Sequence, residues 1–187
     1  MKVYGIVGKI GSGKTKLLEL AAREGYPIFN ADYEVAQLYK DPSIQSTIRK
    51  LLKLEEEGDL KKQLVERLKT NPEALRELER ISHPLIERKI VDFINNKSAS
   101  SAFLEVPLLY EAGLDKYCDK VILIEAGEEV RQKRVGEREN KVIAQILESR
   151  QEDISSKKLK ADFIIYNNED ENSLLNQFKN VIKSNNL

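Results

Sequence analysis

The sequence contains few of the residues on which several classes of protein depend. It has one cysteine, one histidine and no tryptophan among its 187 residues. One cysteine cannot form an internal disulfide, and no cysteine and histidine residues recur at the spacing of a zinc site. The motif G-x-S-x-G is also missing, so a Ser-His-Asp hydrolase has no support. We expect Cys118 to be a buried apolar residue.

The chain also lacks an excess of charge of either sign and a long apolar run. Lys and Arg together number 31, as do Asp and Glu, so composition does not favour general nucleic-acid binding. No run approaches the roughly 18 apolar residues of a membrane span. The short apolar stretch at the start is interrupted by glycine and is not typical of a signal peptide. We therefore expect a cytoplasmic monomer without a nucleic-acid or membrane partner.

The most informative motif that is present lies at the start of the chain. Gly8, Gly13, Lys14 and Thr15 fill the pattern G-x-x-x-x-G-K-[ST] of a phosphate-binding P-loop. An apolar run precedes the motif and predicts a buried strand, and a helical pattern follows it. In such a loop the backbone N–H groups and the helix N-terminus point at the phosphates of a nucleotide.

The motif predicts a role for each of its residues. Lys14 would reach the β- and γ-phosphates, and the hydroxyl of Thr15 would ligate Mg²⁺. The predicted nucleotide-binding residues are those of the loop and of the first turn after it: Gly8, Gly11, Ser12, Gly13, Lys14, Thr15 and Lys16.

Strand and helix patterns alternate along the chain except in one long helical stretch. Apolar runs predict five strands, at residues 3–7, 27–29, 102–106, 120–125 and 163–166. Residues 33–96 are highly charged and have only a helical pattern. This order predicts an α/β fold, a P-loop three-layer sandwich with a five-stranded parallel sheet. Ligands of such a sheet bind at the carboxyl ends of its strands.

Two carboxylates fall at that edge of the predicted sheet. Asp32 follows the second strand, where it could accept the proton of an acceptor hydroxyl, or could cap the next helix without any part in catalysis. Glu105 ends the third strand, where it could hold Mg²⁺ through water or simply lie in a polar turn. Glu111 is a weaker candidate of the same kind. The residues alone leave these alternatives open.

Three arginines recur at helical spacing after the fourth strand. Arg131, Arg134 and Arg138 are three and four residues apart, so they share one face of a helix. That face could belong to a lid that clamps the transferred phosphoryl group. It could equally be a solvated basic surface paired with neighbouring glutamates, which is the commoner situation for a run of charge.

Several segments resemble the dephospho-CoA kinase family, in the same order along nearly the whole chain. The P-loop is close to the family's form, and Asn30-Ala31-Asp32 stands where the family has Asp-Ala-Asp. Residues 78–86 resemble its Leu-Glu-x-Ile-x-His-Pro segment, and residues 107–111 resemble its Pro-Leu-Leu-Phe-Glu. Residues 161–167 resemble its Ala-Asp-Phe-Val-Ile-x-Asn. The spacing of Arg134 and Arg138 matches that of the arginines in its lid.

The resemblance implies an ATP- and Mg²⁺-dependent kinase that phosphorylates the ribose 3′-hydroxyl of dephospho-CoA, the last step of coenzyme A synthesis. Asp32 is then the base, and Lys14, Arg134 and Arg138 stabilise the transferred charge. Asn167 would lie near the adenine. The implied metal ligands are Thr15 and, through water, Glu105. The implied substrate-binding residues are Asp32, Lys62, His83, Pro84, Leu108 and Glu111.

The resemblance also implies a division of the chain within a single kinase domain. The core would comprise residues 1–32, 99–127 and 152–187. A helical insertion that binds the CoA moiety would occupy residues 33–98, and a helical lid would occupy residues 128–151.

Some positions depart from the family's pattern. Asn30 replaces the first aspartate, and an arginine usual shortly afterwards is missing at Ala36-Gln37. Lys62 stands where an arginine is expected, and lysine cannot make the same bidentate phosphate contact. These changes concern the acceptor more than ATP. A kinase of another small acceptor, such as a nucleoside monophosphate, is therefore an alternative. A non-catalytic P-loop nucleotide sensor that binds a protein partner is an alternative of another class.

Overall fold

Five strands form one parallel sheet in the computed structural model, which describes residues 1–96, 98–136 and 153–184. The strands are β1 (Lys2–Val7), β2 (Ile28–Asn30), β3 (Ser101–Glu105), β4 (Lys120–Glu125) and β5 (Phe163–Tyr166). Their spatial order is β2-β3-β1-β4-β5, and every neighbouring pair is parallel. The predicted strands and their parallel arrangement are confirmed.

The helices of the described residues lie between and after these strands. They are α1 (Lys14–Arg23), α2 (Ala31–Leu38), α3 (Pro42–Leu52), α4 (Leu60–Thr70), α5 (Ala74–Asn95), α6 (Glu128–Gly136), α7 (Ile154–Lys160) and α8 (Glu171–Ser184). Aspartate side chains accept backbone N–H groups at the starts of four of them. These caps are Asp41 on α3, Asp59 on α4, Asp153 on α7 and Asp170 on α8.

One face of the sheet is covered by α1 and α8. Leu17 of α1 and Phe178 of α8 are buried in one cluster with the sheet residues Tyr4 and Phe103. The rings of Tyr4 and Phe103 stack with their centroids 5.0 Å apart. Burying each such side chain stabilises the fold by about 1.5–3 kcal/mol.

The opposite face is covered mainly by α5 and α7. Ile86 and Ile90 of α5, with Ile154 of α7, pack in a cluster that contains Leu104 and Leu123 of the sheet. Helices on both faces of a parallel sheet make the three-layer sandwich that the sequence predicts. Both faces being buried explains why β3 and β4 read as nearly continuous apolar runs.

Helices α3, α4 and α5 share a separate apolar cluster. It includes Ile48, Leu52, Leu64, Leu68 and Leu78, all of them buried. These helices follow β2 and precede β3 in the chain, and they form the wall of a cavity beside the sheet. The boundaries of the implied insertion, core and lid stay predictions.

Cys118 packs against the α5 face of the sheet and is partly buried. Burial raises the pKa of its thiol to about 12, with a further contribution from the carboxylates of Asp115 and Asp119. The reactive thiolate is therefore scarce near neutral pH. Within the described ranges, the helices are all too short or too polar to traverse a lipid bilayer.

Candidate active site

The P-loop is the turn between β1 and α1, and its glycines have backbone conformations that other residues rarely adopt. Gly11 and Gly13 have φ values of 79° and 105°. A Cβ atom at Gly13 would collide with the side-chain amide of Asn167, and one at Gly11 would lie 2.8 Å from the carbonyl oxygen of Arg131. The loop therefore needs glycine both for its turn and for the close approach of its neighbours.

Lys14 lies across the P-loop with little exposure to solvent. Its side chain is buried, and Nζ donates hydrogen bonds to the carbonyl oxygens of Gly8 at 2.9 Å and Lys9 at 3.2 Å. These contacts hold the ammonium group over the loop in which phosphates would bind. The location agrees with the role that the motif predicts for Lys14.

Two residues far away in the chain support the P-loop through its carbonyl groups. Nδ2 of Asn167 donates to the carbonyl of Ser12 at 2.8 Å. The guanidinium of Arg134 donates to the carbonyls of Gly11 at 3.3 Å and Asn167 at 3.2 Å. Because a peptide group's C=O and N–H point in opposite directions, donors outside the loop favour N–H groups that face inward. The predicted proximity of Asn167 to the adenine stays a prediction.

Arg131 contacts the same loop from the first turns of α6. It is 7% exposed, donates from Nη1 to the carbonyl of Ile10 at 3.1 Å, and pairs with Glu128. Arg131 and Arg134 thus face the P-loop instead of forming a solvated basic surface. Arg138 and the rest of the predicted lid, residues 137–151, lie outside the described residues.

Glu105 is buried between the P-loop and β2. It is 3% exposed, so it does not lie in a polar turn. Its Oε1 accepts a hydrogen bond from the hydroxyl of Thr15 at 2.9 Å, and its Oε2 accepts one from Nδ2 of Asn30 at 2.9 Å. The parallel register that pairs Asn30 with Glu105 brings the two side chains together.

This pair of oxygen ligands suits Mg²⁺. Hydroxyl and carboxylate oxygens are hard donors, and Mg²⁺ is commonly bound by one or two protein oxygens together with waters and the phosphates of a substrate. Thr15 and Glu105 supply such a pair next to the phosphate-binding loop. No group of three or more His, Cys, Asp or Glu side chains among the described residues could hold a metal by itself.

Asn30 also caps helix α2, and this settles one alternative for Asp32. Oδ1 of Asn30 accepts the backbone N–H of Tyr33 at 2.8 Å, so the N-cap of α2 is Asn30. Asp32 lies in the first turn of that helix, where it is exposed and lines a large cavity. The interpretation of Asp32 as the helix cap is therefore wrong.

Replacing Asn30 by serine should separate its two contacts. Serine caps helices about as well as asparagine, but its side chain is shorter, so a hydroxyl held at the cap should not reach Glu105 as the amide of Asn30 does. We expect kcat to fall about 10-fold or more, the usual scale for losing a partner of a metal-holding carboxylate. The thermal midpoint should change little.

Steady-state kinetics and thermal unfolding of Asn30→Ser and Asn30→Ala test this expectation. The alanine variant loses the cap too and should be destabilised by about 1 kcal/mol more. A serine variant with the wild-type kcat would show that the contact with Glu105 is unimportant.

The large cavity lies beside the P-loop edge of the sheet and has a volume of about 830 Å³. Its walls come mainly from α2, α4, α5 and the segment that follows β3, with Gln45 of α3, and they are mostly apolar. Tyr39 is in the wall, where burial raises the pKa of its hydroxyl to about 12. Among the described residues, the lysines in the wall are Lys40 and Lys61. A cavity of this size can hold a large acceptor.

The structure brings only part of the predicted substrate-binding set to this cavity. Asp32, His83 and Leu108 are in its wall. Lys62 and Pro84 are outside the wall, and their immediate neighbours Lys61 and His83 line it. Within a helix, adjacent residues point about 100° apart, so a match of motifs along the sequence can be one residue away from the side chain that faces the cavity.

Two other predicted residues have partners elsewhere. Oε1 of Glu111 lies 3.1 Å from Nζ of the buried Lys157 on α7. Nζ of Lys16 lies 2.8 Å from a carboxylate oxygen of Glu171 on α8. Glu111 therefore forms an ion pair that joins the segment after β3 to α7, and Lys16 forms an ion pair that joins α1 to α8.

The sequence reasoning missed most of the apolar cavity wall. Side chains on three helices provide it, among them Val35, Leu64, Leu68, Leu75 and Leu78. Their spacing is that of an ordinary amphipathic helix. Such spacing identifies a buried face, but it does not distinguish a face packed on a neighbour from one that borders a cavity.

The sequence as a whole matches one family model, described as CoaE: Dephospho-CoA kinase, over residues 2–173. The chain belongs to the dephospho-CoA kinase family. A dephospho-CoA kinase from Rickettsia bellii is 36% identical over 186 residues, which cover 97% of this chain and 96% of the relative.

Two solved structures are similar to this chain in fold. Dephospho-CoA kinase from Campylobacter jejuni has a TM-score of 0.67 and 29% identity, with 100% of both chains covered. A protein from Thermus thermophilus has a TM-score of 0.79 and 26% identity, covering 98% of this chain and 97% of its own. The predicted family, phosphotransferase class and P-loop kinase fold are confirmed. These likenesses favour neither a nucleoside monophosphate kinase nor a nucleotide sensor.

Proposed function

We propose that this member of the dephospho-CoA kinase family transfers the γ-phosphoryl group of ATP to the ribose 3′-hydroxyl of dephospho-CoA, giving coenzyme A and ADP. The observation that carries the proposal is a continuous series of contacts between the P-loop and the cavity. Thr15 of the P-loop bonds to Glu105, Glu105 bonds to Asn30, and Asn30 caps the helix whose first turn carries Asp32. The two substrates would therefore meet beside Asp32.

Asp32 is proposed to orient the acceptor hydroxyl and to accept its proton. Its carboxylate is on the cavity wall and in the first turn of α2, where the partial positive charge of the helix N-terminus stabilises an anion. A carboxylate next to the attacking oxygen contributes catalysis by positioning and by removing the proton in the transition state.

Lys14 and the P-loop amides are proposed to bind the phosphates of ATP and to stabilise the charge on the transferred group. Thr15 and, through water, Glu105 would hold Mg²⁺, which when bound neutralises phosphate charge and orients the β- and γ-phosphates. Arg134 supports the proposal because its guanidinium already contacts the loop. Arg138 is proposed for the same electrostatic role on the resemblance alone.

The apolar cavity is proposed to receive the long arm of dephospho-CoA. That molecule joins an adenosine, a diphosphate and an extended pantetheine chain, so it needs both apolar surface and cationic groups. The cavity provides both, with Lys40 and Lys61 in a mostly apolar wall. We further propose that the enzyme acts as a cytoplasmic monomer without nucleic-acid or membrane partners.

The test is ADP production from ATP and Mg²⁺ by the purified protein with different acceptors. Dephospho-CoA should stimulate ADP release strongly, and the product should carry its new phosphate on the 3′ oxygen. AMP, CMP and adenosine serve as control acceptors and should not stimulate ADP release. Turnover of one of these instead of dephospho-CoA would contradict the acceptor, and ATP binding without any stimulated turnover would contradict the kinase.

A further inference from the structure

The loop between α3 and α4 is folded around one buried arginine. The loop comprises residues 53–59, with Lys53 at φ 53°, three consecutive glutamates at 55–57, and Gly58 at φ 92°. Arg49, in the last turn of α3, is 9% exposed and points into this loop. Nη2 donates to the carbonyl of Gly58 at 2.7 Å, and Nη1 donates to the carbonyl of Glu55.

The buried guanidinium is surrounded by dipoles and not by carboxylates. Nη1 also contacts the carbonyl of Glu57 at 3.4 Å and the side-chain oxygen of Gln63 at 3.1 Å. Although the loop carries three glutamates, their backbone carbonyls bind Arg49, and none of the described carboxylates forms an ion pair with it. A guanidinium holds five N–H donors in a rigid planar fork that can span several carbonyls, whereas the ammonium group of lysine is a compact charge on a flexible stem.

Gln63 holds the same loop from α4. Its Oε1 accepts from Arg49, while its Nε2 donates to the carbonyl of Glu57 at 2.6 Å. A Cβ atom at Gly58 would lie 3.2 Å from that Nε2, so the loop passes tightly over the amide. Arg49 and Gln63 together fix the path of the chain from two sides.

The end of this loop is a part of the cavity wall. Gly58, Asp59 and Lys61 line the cavity, whereas Arg49 does not. Asp59 also caps α4, accepting the backbone N–H groups of Lys61 at 2.9 Å and Lys62 at 3.3 Å. The position of Lys61 in the wall therefore depends on where the loop delivers Asp59.

We propose that Arg49 is a positioning residue that sets the affinity for the acceptor through the loop 53–59, without touching the acceptor. This inference rests on the proposed function, since it takes the cavity to be the acceptor site. Loss of the guanidinium frees the carbonyls of Glu55 and Gly58 and lets the Gly58–Lys61 wall move. The nucleotide site is on other elements and keeps its geometry.

Kinetic constants for Arg49→Met and Arg49→Lys test the proposal. Methionine keeps the length and the apolar stem, and lysine keeps the charge without the planar fork. Both variants should raise KM for dephospho-CoA about 10-fold or more, the scale of losing a charge-assisted hydrogen bond. Their kcat and KM for ATP should stay within about 2-fold of the wild type. The control is Arg76→Met, whose guanidinium is exposed and pairs with Glu73; it should change none of these constants.

Cleavage by a glutamate-specific protease gives a readout that does not need turnover. The run at residues 55–57 should be cut faster in Arg49→Met than in the wild type and the Arg76→Met control. Should Arg49→Met be too unstable to purify, Gln63→Leu removes the other side of the same contact and should give the same kinetic and proteolytic pattern.

Unchanged KM for dephospho-CoA with an unchanged cleavage rate would overturn the proposal. Equal increases in the KM for both substrates, together with a lower thermal midpoint, would also overturn it by showing a general structural role. Failure of the proposed function gives a different result, because the wild-type protein would then be inactive with dephospho-CoA. The protease would still show whether Arg49 fixes the path of the loop 53–59.

Discussion

Asp32→Asn should lower kcat about 10²-fold or more, the usual scale for losing a general base. Asparagine has nearly the same shape, but its amide cannot accept the proton of the acceptor hydroxyl. The fold should persist, because Asn30 and not Asp32 caps helix α2. We expect KM for ATP to stay close to the wild-type value, since Asp32 is on the cavity wall.

Steady-state kinetics with thermal unfolding measure both parts of this expectation. The matched control is Asp41→Asn, which makes the same change of carboxylate to amide at the start of α3. Asp41 caps that helix through Ser43, and asparagine is an equally good cap, so the control should keep kcat and stability. A loss of stability without a loss of kcat in Asp32→Asn would contradict the catalytic role.

Lys14→Met should abolish most of the turnover, with a fall in kcat of about 10²–10³-fold. That is the scale of removing a pre-oriented charge from the site where the transition state gathers charge. In the absence of nucleotide the substitution removes hydrogen bonds of Nζ, including those to the carbonyls of Gly8 and Lys9. Each such bond contributes about 0.5–1.5 kcal/mol, or up to about 3 kcal/mol where a charge takes part, so the protein should still fold.

Lys16→Met is the matched control for that experiment, because it removes the same group two residues later on the same helix. Its Nζ is paired with Glu171 on the protein surface, and exposed pairs contribute little to stability. We expect nearly wild-type turnover. Comparable losses in the two variants would show that the side chain of Lys16 also acts on the nucleotide, as the sequence predicts.

Sequence reasoning predicts the sheet and the P-loop well because these features depend on local patterns. The apolar runs of β3 and β4 are buried on both faces, and the glycines of the P-loop are required by its backbone. Glu105 could be placed at the carboxyl edge because it ends a strand. The family resemblance then supplied Asp32 as the base, a role that remains to be tested.

Contacts between elements are what the sequence does not reveal. Nothing in the spacing of Arg131 and Arg134 indicates that they donate to carbonyls of the P-loop more than 120 residues away. Likewise, the amide of Asn30 can bond to Glu105 because the strand register sets the two residues side by side, and the sequence does not give that register. Such contacts depend on strand order and helix rotation, and a rotation by one residue exchanges Lys62 for Lys61 in the cavity wall.

The support of the P-loop by Asn167 has a consequence for folding. This hydrogen bond joins positions 155 residues apart, and it can form only after β5 has been added to the edge of the sheet next to β4. Bringing such distant segments together has a loop-closure cost, and folds rich in contacts of this kind form more slowly. A chain lacking its last strand could therefore build β1 and α1 and still hold the loop in a poor shape for ATP. The affinity for ATP would then measure whether β5 and Asn167 have joined the folded sheet.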